Sequence, residues 1–348
     1  MPTTSLPHAT VNLALQGGGA HGAFTWGVLD ALLEDGQLAV EGVSGTSAGA
    51  MNAICLAQGL MAGGRDGARE ALAKFWTAVA ESSPFPDSGN ADGEPPAIPA
   101  ALKLMLQWTE YLSPEQLNPF DLNPLRDILG AQIDFERLRK HSPVKLFIAA
   151  TNANSGKLRI FHNHELSVDA LLASACLPNI HRTVTIDGEP YWDGGYSANP
   201  AVFPLFYDCT AADILLVLLT PLHFGETPDS AQDIRMRLRE LGFSATFLRE
   251  MRMFAHLRER VGESRLPAWL QAWIPVGQLE QRVRQVRFHA ISADALMSEL
   301  APETKLAASL SFFQRLRDDG RAHAQTWLAA KRSAIGRRST LDLAKIYY

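Results

Sequence analysis

Apolar positions change their spacing several times over the first sixty residues. A run carrying Val11, Leu13 and Leu15 reads as a strand and meets Gly17-Gly18-Gly19. Phe24, Val28, Leu29 and Leu32 then recur at helical spacing. A second strand over 40–44 enters Gly45-Thr46-Ser47-Ala48-Gly49, and small residues carrying Met51, Ile54 and Leu56 begin another helix. Strand, glycine loop, helix, strand, sharp turn, helix is the opening of a parallel α/β sheet. Both turns fall at the carboxyl ends of strands, where such sheets place their chemistry.

The same patterning continues downstream. Residues 59–67 loosen the chain before a helix over 68–81, and the Pro-, Gly-, Ser- and Asp-rich stretch 82–99 predicts a surface loop. Leu102, Leu106, Trp108 and Leu112 predict a helix over 99–112, either packed on the core or serving as a lid. Short helices over 123–130 and 134–139 precede a strand over 144–151 and its hairpin partner over 157–161. A helix of small residues over 167–176 leads to a second hairpin, 183–186 with 190–192, around Asp187-Gly188. That hairpin delivers Tyr191-Trp192-Asp193-Gly194-Gly195, and residues 214–219 form another buried strand.

Beyond Pro221 the composition shifts, which divides the chain into a first domain over 1–220 and a mainly helical extension over 221–348 packed on it. A helix over 232–262 carries seven arginines with Ile234, Leu238, Leu241, Phe247 and Phe254. Such a helix either caps a domain, with its arginines in water or paired to Glu240, Glu250 and Glu259, or lies on an anionic membrane surface. Trp269 and Trp273 form a short anchor or simple packing, 287–291 reads as a strand, and 305–332 as helices. The tail from Ser333 is expected to be loose as far as Leu341.

Composition narrows the function classes only slightly. The 348 residues are 47% hydrophobic and 20% charged with a net charge of −5, which argues against nucleic acid as a partner. The first ten residues lack a basic and an apolar segment, so no secretory leader is expected, and no run is long enough to span a membrane. Cys55, Cys176 and Cys209 are scattered in apolar surroundings, as reduced thiols of a cytoplasmic protein would be. The oligomeric state is not written in the sequence.

The candidate chemistry lies in the turns. Gly45, Ser47 and Gly49 satisfy G-x-S-x-G, in which a serine sits on a tight strand-to-helix turn with its hydroxyl above the sheet. Gly17, Gly19 and Gly22 satisfy the dinucleotide fingerprint G-x-G-x-x-G, but the serine turn stands where that fold needs a ribose-binding carboxylate. Backbone amides aimed at a developing anion are the better reading of this loop. Asp193, at a strand end before Gly194 and Gly195, is either a turn aspartate or the partner of Ser47. His223, after a late strand, could complete a Ser47–Asp193–His223 triad of the α/β-hydrolase kind. His162 and His164 have the spacing of two metal ligands but lack a third, and neither a metal nor another cofactor is expected.

Gly-Gly-Gly-Ala-His-Gly, Gly-Thr-Ser-Ala-Gly and Asp-Gly-Gly in this order resemble the patatin-like phospholipase family over residues 11–219. The resemblance implies a patatin-like three-layer α/β/α sandwich with a mostly parallel central sheet, and a helical extension like that of one bacterial subgroup. It implies Ser47 as nucleophile, Asp193 as proton acceptor, and an oxyanion hole from the amides of Gly17, Gly18 and Gly19. Ala173-Ser174 with Pro178, and Asn199-Pro200, match as well. His21 departs from the family's usual Arg or Lys, which would make any positive charge there dependent on pH. The implied activity is hydrolysis of lipid acyl esters, phospholipids first. Neutral acylglycerols, acyl thioesters, an intracellular polyhydroxyalkanoate, or lipid binding without turnover are the alternatives.

Overall fold

The computed structural model describes residues 9–83, 108–109, 111–262 and 277–348. The predicted loop over 82–99, the predicted helix or lid over 99–112 and the Trp269–Trp273 segment lie wholly or largely outside them. The described strands are β1 (Ala9–Leu15), β2 (Leu38–Thr46), β3 (Lys145–Asn152), β4 (Leu158–His162), β5 (Val184–Ile186), β6 (Glu189–Asp193), β7 (Asp213–Leu218) and β8 (Arg287–Ser292). They form one sheet in the order β5-β6-β3-β2-β1-β7-β8, with β4 also on β3. Along that order the five strands from β3 to β8 are parallel, and the β3–β4, β3–β6 and β5–β6 pairs are antiparallel.

Strand alternation creates the layers. Successive side chains point to opposite faces, so Val11, Leu13, Leu15, Leu215 and Val217 join one core while Ala14, Ile214, Leu216 and Leu218 join another. Helices α1 (Gly22–Asp35), α2 (Ala48–Glu81), α3 (Val168–Ser174), α4 (Phe203–Asp208), α5 (Ala231–Gly262) and α6 (Leu310–Lys331) cover the two faces. Leu29, Ile54, Phe312 and Phe313 of α1, α2 and α6 fill the first core; Phe206, Phe247 and Phe254 of α4 and α5 fill the second. Burying each such side chain is worth about 1.5–3 kcal/mol.

Local chemistry places the ends of these elements. Gly36 ends α1 in the left-handed region at φ 68°, its amide donating to the Leu32 carbonyl. Ser167 caps α3 by accepting from the Ala170 amide. Asp187 and Gly188 both have positive φ, which turns β5 tightly into β6. The two helices expected on either side of 59–67 are present: α2 is two helices that meet at a kink, where Gly63 and Gly64 leave helical geometry.

The chain beyond residue 220 is woven into the same sheet. β8 pairs in parallel with β7 from Asp213↔Arg287 to Leu218↔Ser292, so hydrogen bonds cross the compositional boundary. The tail, expected to be loose, is held along β8. The Thr340 and Leu341 amides both donate to the Phe288 carbonyl at 3.0 Å, and the Phe288 amide donates to Ser339 Oγ at 3.2 Å. An edge strand leaves outward N–H and C=O groups unpaired, and the tail satisfies those of Phe288.

Candidate active site

β3 acts as the ruler that brings residues 47 and 193 together. It pairs with β2 as far as Thr46↔Ala149, and with β6 from Asp193↔Ala150 onward. β4 pairs with Phe147 through Thr151, across both stretches, and therefore occupies the opposite edge. β2 and β6 thus meet end to end on one edge of β3. The residue that follows Thr46 emerges against the last residue of β6.

That residue is Ser47, at φ 54° and ψ −123°, a region where a non-glycine residue stores about 1–3 kcal/mol of strain. It is the N-cap of α2, so its hydroxyl lies at the positive end of a helix dipole. The flanking glycines are required by close packing. A Cβ on Gly45 would fall within 3.0 Å of the Gly49 carbonyl, and one on Gly49 would overlap the Leu15 carbonyl. The Ser47 amide donates to Ser174 Oγ at 3.0 Å, which fixes the turn against the end of α3.

Ser47 thus emerges beside the Asp193 carboxyl, close enough for its side chain to favour the charged form. Asp193 is only 1% exposed. Burial pushes its carboxyl from 3.8 up to about 7, against the opposing pull of the Gly195 amide and the Ser47 hydroxyl. The Gly195 amide donates to Asp193 Oδ1 at 2.7 Å, the Asp193 amide donates to the Cys176 carbonyl at 2.8 Å, and Thr151 Oγ1 donates to the Asp193 carbonyl at 2.8 Å. The carboxylate is held on both sides of its own Cα.

The glycine loop lies against this pair. A Cβ on Gly17 would fall within 3.0 Å of both the Thr46 carbonyl and Ser47 Cβ. The Gly17 amide itself donates to Asn199 Oδ1 at 2.7 Å, so the three-amide oxyanion hole expected from the motif has one member already engaged. Among the described residues no protein acceptor takes the Gly18 and Gly19 amides. The segment after Asp-Gly-Gly braces the arrangement from above: Thr46 Oγ1 donates to the Ala198 carbonyl at 2.8 Å, and Gln16 Nε2 to the Asn199 carbonyl at 3.3 Å. Ser174 and Asn199 were thus legible as motif matches; their hydrogen bonds to the two turns were not.

His21 carries no positive charge at neutral pH. It is 1% exposed, and burial together with the nearby Lys305 ammonium brings its pKa down to about 3. The pH-dependent charge expected there is therefore absent. Gly22 packs its Cα against Ala48 of the serine turn, leaving no space for a Cβ. His223 is exposed and acts electrostatically on Asp294, whereas the groups acting on the Asp193 carboxyl are the Gly195 amide and the Ser47 side chain. His162 and His164 stack on each other with centroids 6.2 Å apart, and among the described residues no three His, Cys, Asp or Glu groups form a metal site.

Helix α5 overhangs the Asp-Gly-Gly turn. Phe243 occupies the space a Gly195 side chain would need, and its ring lies 4.6 Å from that of Tyr196. Glu250 accepts from the Val202 and Phe203 amides, and Glu240 pairs with Arg237 and Lys305. Glu259 accepts from the Tyr348 hydroxyl. The capping reading of α5 therefore holds for much of its length, while Ile234, Leu238 and Leu241, spaced along one face near its start, remain exposed.

A family model described as patatin-like phospholipase matches residues 13–206. Two solved structures are similar to the chain. VipD from Legionella pneumophila shares 16% identity at a TM-score of 0.38, covering 94% of this chain and 68% of that one. The ExoU–SpcU complex from the type III secretion system of Pseudomonas aeruginosa shares 15% at 0.28, covering 99% and 75%. No curated protein matches the chain in sequence.

Proposed function

The chain belongs to the patatin-like phospholipase family, and from that premise we propose that it is a serine lipid acyl hydrolase working through Ser47 and Asp193. The observation that carries the reading is the placement of Ser47, on the strained turn that ends β2, against the buried carboxyl of Asp193 at the end of β6. Ser47 Oγ attacks the ester carbonyl while its proton passes to Asp193. The Gly18 and Gly19 amides stabilise the oxyanion of the tetrahedral intermediate. Collapse breaks the C–O bond to the alcohol, which leaves with the proton from Asp193, and an acyl-enzyme remains. Asp193 then takes a proton from water, which attacks the acyl carbon and releases the fatty acid and Ser47.

The substrate class follows from the family and from the surface beside the site. A glycerophospholipid ester is the first choice, and the exposed Ile234, Leu238 and Leu241 face supports peripheral contact with the lipid surface that presents it. No helix among the described residues is long and apolar enough to cross a membrane. Three buried, unpaired cysteines fit a reducing compartment, and we place the protein in the cytoplasm.

A fluorophosphonate probe tests the nucleophile directly. Wild-type protein is expected to gain one covalent adduct, mapped by mass spectrometry to Ser47, and folded Ser47→Ala to gain none. A lipidomic comparison of the two proteins identifies the ester that is consumed. A folded wild-type protein that resists the probe and cleaves no ester would leave lipid binding without turnover as the function.

A further inference from the structure

Residues far outside the family-matched segment close over the glycine loop. Thr304 Oγ1 donates its proton to the Ala301 carbonyl at 2.6 Å. Its oxygen is therefore the acceptor in the 2.8 Å contact with His21 Nε2. This assigns the hydrogen of the neutral imidazole to Nε2 and leaves Nδ1 as a buried lone pair with no partner among the described residues. The next residue engages the other end of the loop. The Lys305 carbonyl lies so close to Gly19 that no side chain fits there, and Gly19 is at φ 57°, where side chains are disfavoured in any case. Lys305 Nζ reaches Glu240 of α5 at 3.5 Å, which anchors the segment on its far side.

We propose that residues 301–305 are a strap that positions the oxyanion loop, with Thr304 as its positioning residue. This chain holds the loop by one neutral hydrogen bond and one backbone contact supplied in cis. The strap acts on geometry alone, through His21 at one end of the three-residue turn Gly19–His21 and Gly19 at the other. The inference rests on the hydrolase reading above, since it assigns the Gly18 and Gly19 amides to the oxyanion.

Thr304→Val keeps the shape of the side chain and removes the acceptor, leaving the His21 N–H buried and unsatisfied. Losing one oxyanion donor costs roughly 10²–10³ in rate, and a loosened donor less, so kcat should fall roughly ten- to hundred-fold. KM should stay within about two-fold, and the rise of activity with pH should keep its midpoint, because Asp193 is untouched. Thr304→Ser should restore most of the rate, which repacking alone would not explain. Faster amide exchange over residues 17–20 in Thr304→Val, measured by mass spectrometry, reads the strap without any turnover. Wild-type kcat and wild-type exchange in folded Thr304→Val would overturn the proposal. Should that variant not fold, Thr304→Cys, similar in size and a poor acceptor, takes its place with the same expected results. A wild-type protein that resists the fluorophosphonate but shows the exchange difference would sink the hydrolase reading and keep the strap; resistance with no exchange difference would sink both.

Discussion

Asp193→Asn is expected to lower kcat by roughly 10³-fold or more while making the folded protein more stable at neutral pH. The two effects have one cause. Asp193 is buried, and its carboxyl is pushed from 3.8 up to about 7. As a proton acceptor it must be ionised, so wild-type kcat/KM should climb with pH below about 7 and level off above it. The folded state binds this proton more tightly than the unfolded chain does. Stability is therefore lost as pH rises from about 4 to about 7, and the whole penalty, roughly 4 kcal/mol, stands above the folded pKa. Asparagine has no charge to bury. Denaturant melts of wild type and variant should coincide near pH 4 and separate by pH 8 or so, with the variant the more stable. His223→Gln, which removes an exposed ring that acts electrostatically on Asp294, should keep most of its activity and change neither curve. Comparable losses in the His223 and Asp193 variants would replace the pair with a triad, and a folded Asp193→Asn protein that turned over normally would remove Asp193 from the chemistry.

The contrast between these two residues shows what could be read from the chain alone. Ser47 and Asp193 each sit in a turn whose residues must be small, so the constraint leaves a local mark: Gly45 and Gly49 around one, Gly194 and Gly195 after the other. The parallel opening of the sheet was legible for a similar reason, since period-two and helical spacing alternate over the first sixty residues. What brings the two turns together was not legible. It depends on β2 and β6 sharing one edge of β3, a long-range choice that no local pattern encodes. The grip of the tail on β8 uses backbone groups, which every residue has, and the short hydroxyls of Ser339 and Thr340, which mark no pattern, so the sequence from Ser333 onward reads as loose. Thr304 is 283 positions from His21 and lies in no motif, so nothing local in the sequence marks its hold on the loop.

Gly27→Leu is expected to destabilise the whole fold by about 3 kcal/mol or more, the upper end of what overpacking costs. Helices α1 and α6 cross backbone to backbone. A Cβ on Gly27 would overlap the Arg317 carbonyl, and one on Gly320 would overlap the Phe24 carbonyl. Neither neighbour is a flexible side chain that could swing aside, so a leucine must drive the helices apart. Separation uncovers Phe24, Leu29, Phe313 and Leu316, all buried in the same core. It also strains the ion pairs of Arg321 with Asp30 and Glu34 along the helix edge. Gly130→Ala is the control: that helical position has open space around it, and alanine there should add roughly 0.5–1 kcal/mol. Urea melts followed by far-UV circular dichroism check both values. A single cooperative transition, lowered as a unit in Gly27→Leu, is expected because α6 packs on α1 and shares the core that lies under the sheet carrying Ser47. A separate early transition, with esterase activity intact after it, would instead make residues 221–348 a detachable unit. The strap over the glycine loop runs directly into α6, so loss of that helix should carry the activity away with it.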